Sequence, residues 1–450
     1  MSAFTISGTV IHAPVCGELE IKPGALVEVD ESGQISAVHD SNSANYEARE
    51  KVALDSGSLI ELTDTQYLLP GMIDLHIHAP QWPQSGGALH LPLYDWLQQC
   101  TFPLEAKYAD IKFADKVYSS LVDTLIANGT TTALYFATVH LESSKLLADI
   151  CHNKGQRGLV GKVAMDNPDE CPDYYRDVST EQGLKDTRAL IEYIRAMSGN
   201  ENERVMPVVT PRFIPSCTDE MLEGLGKIAK EYDCHVQTHC SESDWEHAYV
   251  IERHGVHDTT SLDNFGLLGN KTVLAHSNFI NDEDMQTIKN RQTGIAHCPL
   301  SNFYFSNAVF PARKALDKGL DIGLGTDISG GPNPSLLHNC NTAVTASRAL
   351  EEGVNPDLPP EKRGTQNSRI NFKEAFWMAT TGGGRALDLK IGLIKEGYAM
   401  DAIVVDTALA DSNVIVWDEL DGVEDVLQKI IYNANRSNIS SVWVQGKQIK

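Results

Sequence analysis

Along this chain the spacing of apolar positions changes twice. Residues 1 to about 68 alternate apolar and polar positions in short runs, TISGTVIHAP, GALVEVD, GQISAVHD and SLIELTDTQYLLP, separated by Gly, Asp and Ser turns, the pattern of half-buried strands. The C-terminal residues return to this style in AMDAIVVDTAL, VLQKIIYN and ISSVWVQGKQI. The two ends are therefore expected to assemble one small β-sandwich domain, with residues 1–68 as its N-terminal part and 391–450 as its C-terminal part.

Between them, in residues 69–390, eight short apolar runs appear: GMIDLHIH, GTTTALYFAT, RGLVGKVAMD, RVMPVVTPRF, CHVQTHC, KTVLAHS, GIAHCPLSN and LDIGLGTDISGG. Most are separated by amphipathic stretches of helix length, such as FADKVYSSLVDTLIANG and DEMLEGLGKIAKEYD. Eight strands alternating with helices predict an α/β fold, a (β/α)8 TIM-type barrel with right-handed crossovers. An open doubly wound sheet is the alternative, but no glycine-rich phosphate fingerprint follows any of the runs. Gly382-Gly383-Gly384 lacks the spacing of a phosphate loop.

In a barrel the chemistry collects at the C-terminal ends of the strands. Here those ends are polar: His76 and His78, Asp166, Arg212, His239, His276, His297 and Asp327. An isolated His-x-His is more often a buried strand with satisfied imidazoles than a metal pair. Five histidines accumulating at corresponding strand ends have no reason in core packing. His76 and His78 share one strand face. With His239 and Asp327 they supply three imidazoles and one carboxylate at one rim, a donor set for a catalytic zinc ion with a position left open for water. Such an ion lowers the pKa of bound water to around 7. Glu242, three residues after His239, is placed to move the proton.

Composition narrows the partner. A net charge of −24 argues against nucleic acid, whose binding draws on basic patches, and so for a small molecule. No run approaches the roughly 18 apolar residues of a membrane span, and MSAFTISGTVIHAPV lacks the regions of a secretory signal, so a cytoplasmic location is expected. Nine scattered cysteines with no CxxC pair read as small buried hydrophobes in a reducing compartment.

Taken in order, PGMIDLHIH, His239, LAHS with His276, and GTD with Asp327 resemble the amidohydrolase superfamily. HIHAPQ, TFPLE, GTTTALYFAT, GKVAMD, VTPRF, HCSES, IAHCPLSN and GLGTDISGG are similar to its guanine-deaminating members over nearly the whole chain. The resemblance implies a homodimeric enzyme with one Zn2+ per subunit that hydrolyses guanine to xanthine and ammonia. It implies His76, His78, His239 and Asp327 as metal ligands, Glu242 as proton shuttle and His276 as a hydrogen-bonding partner of the metal-bound water. It assigns the base to Gln81 and Arg212 through its polar edges, to Phe213 by stacking, and to Glu242. In the implied mechanism Asp327 and Glu242 help ionise the water, Glu242 protonates N3, and C2 is attacked before ammonia leaves. Where dinuclear relatives carry a bridging lysine, the fourth run ends in Thr210-Pro211-Arg212-Phe213, so a single metal is expected. A related substrate, 8-oxoguanine or an s-triazine, is the alternative, and a non-catalytic scaffold relative a further one.

Other polar residues get blander expectations. Lys162 has an odd strand position and reads as structural. His235 begins its strand and belongs to the opposite face. His247, His254 and His257 fall in a polar helical region and are expected to be solvent-exposed. His90, His140 and His338 are assigned to loops near the rim, and the Trp82–Trp96 segment to a long first loop that could cover the site.

Overall fold

A computed structural model describes residues 2–306 and 308–450. Eight parallel strands form the central sheet: Met72–His78, Thr130–Phe136, Arg157–Gly161, Val205–Pro211, His235–Cys240, Thr272–His276, Gly294–His297 and Ile322–Leu324. They correspond one to one with the eight runs. The third is extended beyond Lys162 by Val163–Ala164, which pairs with the fourth. Neighbours pair in chain order, so each crossover returns to the next position. The residues just after the last strand close onto the first by hydrogen bonds. Asp327 N donates to the His76 carbonyl (2.8 Å), His78 N donates to the Ile328 carbonyl (3.0 Å), and Thr326 N donates to Asp74 Oδ1 (2.9 Å).

The helix after the first strand shows how the sequence sets the outer layer. In Ile111–Ala127, Ala114, Val117, Tyr118, Leu121, Val122, Leu125 and Ile126 recur at the i, i+3/i+4 spacing and are all buried. Each such Leu or Val stabilises the packed state by about 1.5–3 kcal/mol. Asp110 caps the start by accepting from Lys112 N, and Gly129, at φ 82°, turns the chain into the second strand.

The β-rich ends combine into one eight-stranded mixed sheet. Strands Phe4–Val15, Glu18–Val29, Ile35–His39, Leu59–Glu61 and Gln66–Pro70 come from the N-terminal side, and Ala402–Asp406, Ile439–Val444 and Lys447–Gln448 from the C-terminal side. Gln66–Pro70 runs directly into the first barrel strand. A buried ion pair, Arg157 Nε to Asp401 Oδ2 at 3.0 Å, ties the start of the third barrel strand to this sheet, at the end of the barrel away from the polar rim.

Two segments correct the strand reading. VLQKIIYN lies in a helix, Val423–Asn433, whose Val426, Leu427, Ile430 and Ile431 form a helical stripe. That stripe packs against the helix Leu336–Glu352, so the β-branched content that suggested a strand is buried on a barrel helix instead. Tyr46–Asp55, within the N-terminal region read as β, is also a helix. Only its Ala53 is buried, which leaves almost no apolar period to find. All nine cysteines are free thiols, seven of them buried. Among the described residues no helix is long and apolar enough to cross a membrane.

Candidate active site

The strand ends bring His76, His78, His239, His276, Glu242 and Asp327 into one buried cluster. His78 Nε2 and His239 Nε2 lie 3.0 Å apart. Asp327 Oδ1 is 3.2 Å from His76 Nε2 and 3.7 Å from His78 Nε2. His276 Nε2 stands 3.7 Å from Glu242 Oε1 and 4.0 Å from Asp327 Oδ2. The ligand atoms of His76, His78 and His239 all fall within 4.8 Å of one another.

Backbone groups fix the orientation of these rings. His239 Nδ1–H donates to the Arg212 carbonyl at 2.6 Å, which leaves Nε2 as a lone pair directed at the cluster. His276 Nδ1–H donates to Asn302 Oδ1 at 2.9 Å, and Asn302 is itself held by donating from Nδ2 to Asn278 Oδ1 at 2.8 Å. His76 Nε2 and His276 Nε2 are buried and have no hydrogen-bond partner among the described residues. Three of these strand ends adopt left-handed backbone, Ser241 (φ 48°), His276 (φ 69°) and Asp327 (φ 49°), a strained state that concentrates at functional positions. Small residues make room: a Cβ on Gly325 would lie 2.8 Å from His76 Cβ, and one on Gly330 2.9 Å from Asp327 Oδ2.

Burial controls the charge state. It holds His76, His78 and His239 well below the usual imidazole pKa, with neighbouring histidines adding to the effect. His276 is lowered by burial, partly opposed by Asp327. Burial pushes the Glu242 carboxyl well up, and the Asp327 charge pushes it further while Arg212 opposes. Asp327 is raised by burial, against His276, Ser301 and Arg212. Neutral imidazoles with converging, unpartnered nitrogens beside a carboxylate are what a divalent cation of the zinc type takes. On this evidence the donor set fits a metal ion.

The cluster opens into a pocket lined by His78, Gln81, Leu93, Trp96, Leu97, Arg212, Phe213, His239, Glu242, Phe305 and Asp327. Every residue singled out for the site lines this cavity except His76 and His276, which sit behind it in the cluster. The long first loop folds into short helical turns and roofs the space with Leu93, Trp96 and Leu97. Glu242 also lines it, and Glu242 N donates to the buried Glu246 Oε2 at 2.7 Å.

Three site residues escaped the sequence reading. Glu105, fully buried, takes Arg212 Nη1 on Oε2 at 2.6 Å and Arg212 Nη2 and Gln81 Nε2 on Oε1 at 3.2 and 2.9 Å. It lies in the motif TFPLE, but its partner is 107 residues away, and a lone glutamate carries no chemistry of its own. Asp74 accepts from Thr326 N and, at 2.6 Å, from Thr326 Oγ1, and burial raises its pKa to about 7. Asn302 orients His276.

The remaining assignments sort by contact. Lys162 Nζ donates to Asp177 Oδ1 at 2.6 Å and to the Val163 carbonyl, a buried structural pair. Asp166 is occupied by Thr218 N, Thr218 Oγ1 and Thr180 Oγ1, fastening loops outside the cavity. His297 is buried against Phe310, with its pKa lowered to about 3 by burial, and does not line the cavity. His235 donates to the Leu387 carbonyl at the opposite end of the barrel. His90 and His338 are exposed, while His140 is half-buried against Tyr175. The exposure expected for His247, His254 and His257 is corrected: all three are partly buried, and each faces an aspartate, Asp258 at 2.9 Å, Asp219 at 3.1 Å and Asp284 at 2.7 Å.

Comparison with known proteins agrees with this geometry. Guanine deaminase of Dictyostelium discoideum is 38% identical over 458 residues, covering 98% of this chain and 97% of that protein. Guanine deaminase of Homo sapiens is 36% identical over 454 residues, covering 99% and 96%. The crystal structure of guanine deaminase from C. acetobutylicum with bound guanine superposes with a TM-score of 0.88 at 32% identity, over 100% of both chains. Residues 67–449 match the amidohydrolase family, and the chain belongs to it.

Proposed function

We infer that this chain hydrolyses guanine to xanthine and ammonia, a step of purine breakdown, in the barrel of residues 69–390. The observation that carries the reading is the pocket's composition: a donor edge from Arg212 and Gln81, an aromatic face from Phe213, and the histidine and carboxylate cluster at its base. Full-length similarity to guanine deaminases supports it.

His76, His78, His239 and Asp327 would hold one zinc ion per subunit. Bound there, the ion supplies Lewis acidity that makes water nucleophilic at neutral pH. Phe213 stacks on the planar base. Guanine carries O6 and N7 as adjacent acceptors, which suit the N–H donors left on Arg212. An adenine-like base would set its N6 amino donors against that edge, and an s-triazine has no such pair of acceptors.

Glu242 moves the protons. Glu242, lining the pocket beside Asp327 and Arg212, donates a proton to ring N3 and draws electrons from C2. Attack by water oxygen forms the new C2–O bond, and Glu242 takes the proton released and passes it to the amino nitrogen. The C2–N2 bond then breaks, ammonia leaves, and the C2 hydroxyl returns its proton to Glu242 as the xanthine carbonyl forms. His276, its Nδ1–H committed to Asn302, offers Nε2 as an acceptor to the attacking water. The enzyme is proposed to work in the cytoplasm as a homodimer.

The test is ammonia release from a panel of guanine, 8-oxoguanine, adenine and s-triazines by metal-analysed protein. Guanine is expected to exceed the rest in kcat/KM. A fully zinc-loaded preparation that leaves guanine intact overturns the reading.

A further inference from the structure

Glu105 touches none of the groups that carry the chemistry, yet it organises the edge that meets the base. Its carboxylate is gripped by Arg212 through two nitrogens and by Gln81 through one. One helical turn earlier, Phe102 lies under the guanidinium, with Cζ 5.1 Å from the ring centre, so the segment Phe102–Glu105 holds Arg212 from below and from the side. Gln81 is fixed at both ends of its amide, because Ser329 N donates to its Oε1 at 3.1 Å while its Nε2 donates to Glu105. The amide orientation is therefore set, with one N–H left over. Of the five guanidinium N–H groups of Arg212, two are spent on Glu105.

Charge is the second consequence. Glu105 and Arg212 are 0% and 2% exposed, so water does not screen the pair. An unpaired arginine in such a place is an anion-binding group. Paired with Glu105 it remains a hydrogen-bond donor but carries no net charge into the pocket.

We propose that Glu105 is a positioning and specificity-determining residue: it aims the free donors of Arg212 and Gln81 at a neutral oxo-purine and cancels the guanidinium charge, so that the base is preferred over its anion. The inference rests on the purine reading above. It gives the pocket a means of discharging its product, because xanthine is more acidic than guanine and ionises near neutrality. As the anion forms, the compensated arginine gives it no charge-based hold.

The test is inhibition by xanthine across the pH range in which it ionises, alongside guanine kinetics, for wild type and Glu105→Gln. In wild type, inhibition is expected to weaken as the xanthine anion grows. In Glu105→Gln the uncompensated arginine should flatten or reverse that trend and raise guanine KM by about tenfold or more, with kcat changed less and zinc content unchanged. Tighter wild-type inhibition at higher pH, or a variant with KM and xanthine trend unaltered, overturns the proposal. If Glu105→Gln does not fold, Glu105→Asp keeps the charge on a shorter arm. It should keep the wild-type xanthine trend while KM rises, and an unchanged KM there overturns the positioning role. Wild-type guanine turnover separates the two failures: without turnover the purine reading falls and takes this inference with it, whereas with turnover and an unaltered variant only the role of Glu105 falls.

Discussion

The amide of Asp327 donates to the carbonyl of His76 at 2.8 Å, across the seam where the last barrel strand meets the first. The bond that closes the barrel therefore also sets the site's carboxylate against its first imidazole, with Asp327 Oδ1 3.2 Å from His76 Nε2. Asp74 reinforces the seam by accepting from Thr326 on one side and from His76 N on the other. Cluster geometry and barrel closure are one feature in this chain.

Glu242→Gln removes the proposed proton carrier and leaves His76, His78, His239 and Asp327 in place. It is expected to retain zinc by elemental analysis while guanine kcat falls by about 10²- to 10⁴-fold, the range for loss of general acid–base catalysis. Wild-type turnover in a zinc-loaded variant refutes the assigned role.

Arg212→Met should raise guanine KM strongly while zinc content stays near wild type. It also strands the buried Glu105 carboxylate, and breaking one side of a buried pair costs about 3–5 kcal/mol. Denaturant melts should show that loss, with part of it recovered in the double variant Arg212→Met/Glu105→Gln, where no buried charge is left alone.

Chelation should lower the melting temperature, because binding to the folded state alone stabilises by about 2.7 kcal/mol at a free-ion concentration of 100 Kd. Returning zinc should restore the temperature in a concentration-dependent way. A melting temperature indifferent to both treatments speaks against a metal held by these histidines.

His247 offers a pH test away from the cluster. Its hydrogen bond to Asp258 raises its pKa above the ordinary 6.5, against the opposing effect of burial. A raised folded pKa means that the pair's charge-dependent stabilisation is fully present below about pH 6.5 and is lost as pH rises through the folded value. The melting-temperature gap between wild type and His247→Gln should therefore be widest in mild acid and narrow with rising pH. A gap that grows with pH contradicts the pairing.

Lys162→Met tests the structural assignment of a lysine on the third barrel strand. Removing the cation leaves Asp177 buried and unpaired, at a cost of about 3–5 kcal/mol. Zinc stoichiometry should not change, and a loss of metal from a folded variant would make Lys162 part of the metal site.

The barrel strands were legible because each is a short, mostly apolar run buried on both faces, and because its last residues include the polar groups that gather at one rim. His76, His78, His239, His276, Glu242 and Asp327 could be named from that pattern and from the resemblance it carries. The helix Val423–Asn433 was misread since its β-branched residues fit either a strand or a buried helical stripe, and only packing on the helix Leu336–Glu352 decides. The partial burial of His247, His254 and His257 was illegible for a similar reason. A polar helix looks solvated until the aspartates from other turns and helices are brought against it.

The sequence by itself determined the order of strands, the polar residues at their ends and the donor types available for a cation, because periodicity and residue chemistry are local properties. Only the tertiary structure decided that Glu105 closes on Arg212, that Asp74 locks Thr326, that Asn302 fixes His276 and that Trp96 and Phe305 wall the cavity. Those contacts join residues far apart along the chain, and burial, which sets both their charge states and their strength, exists only once the barrel is closed.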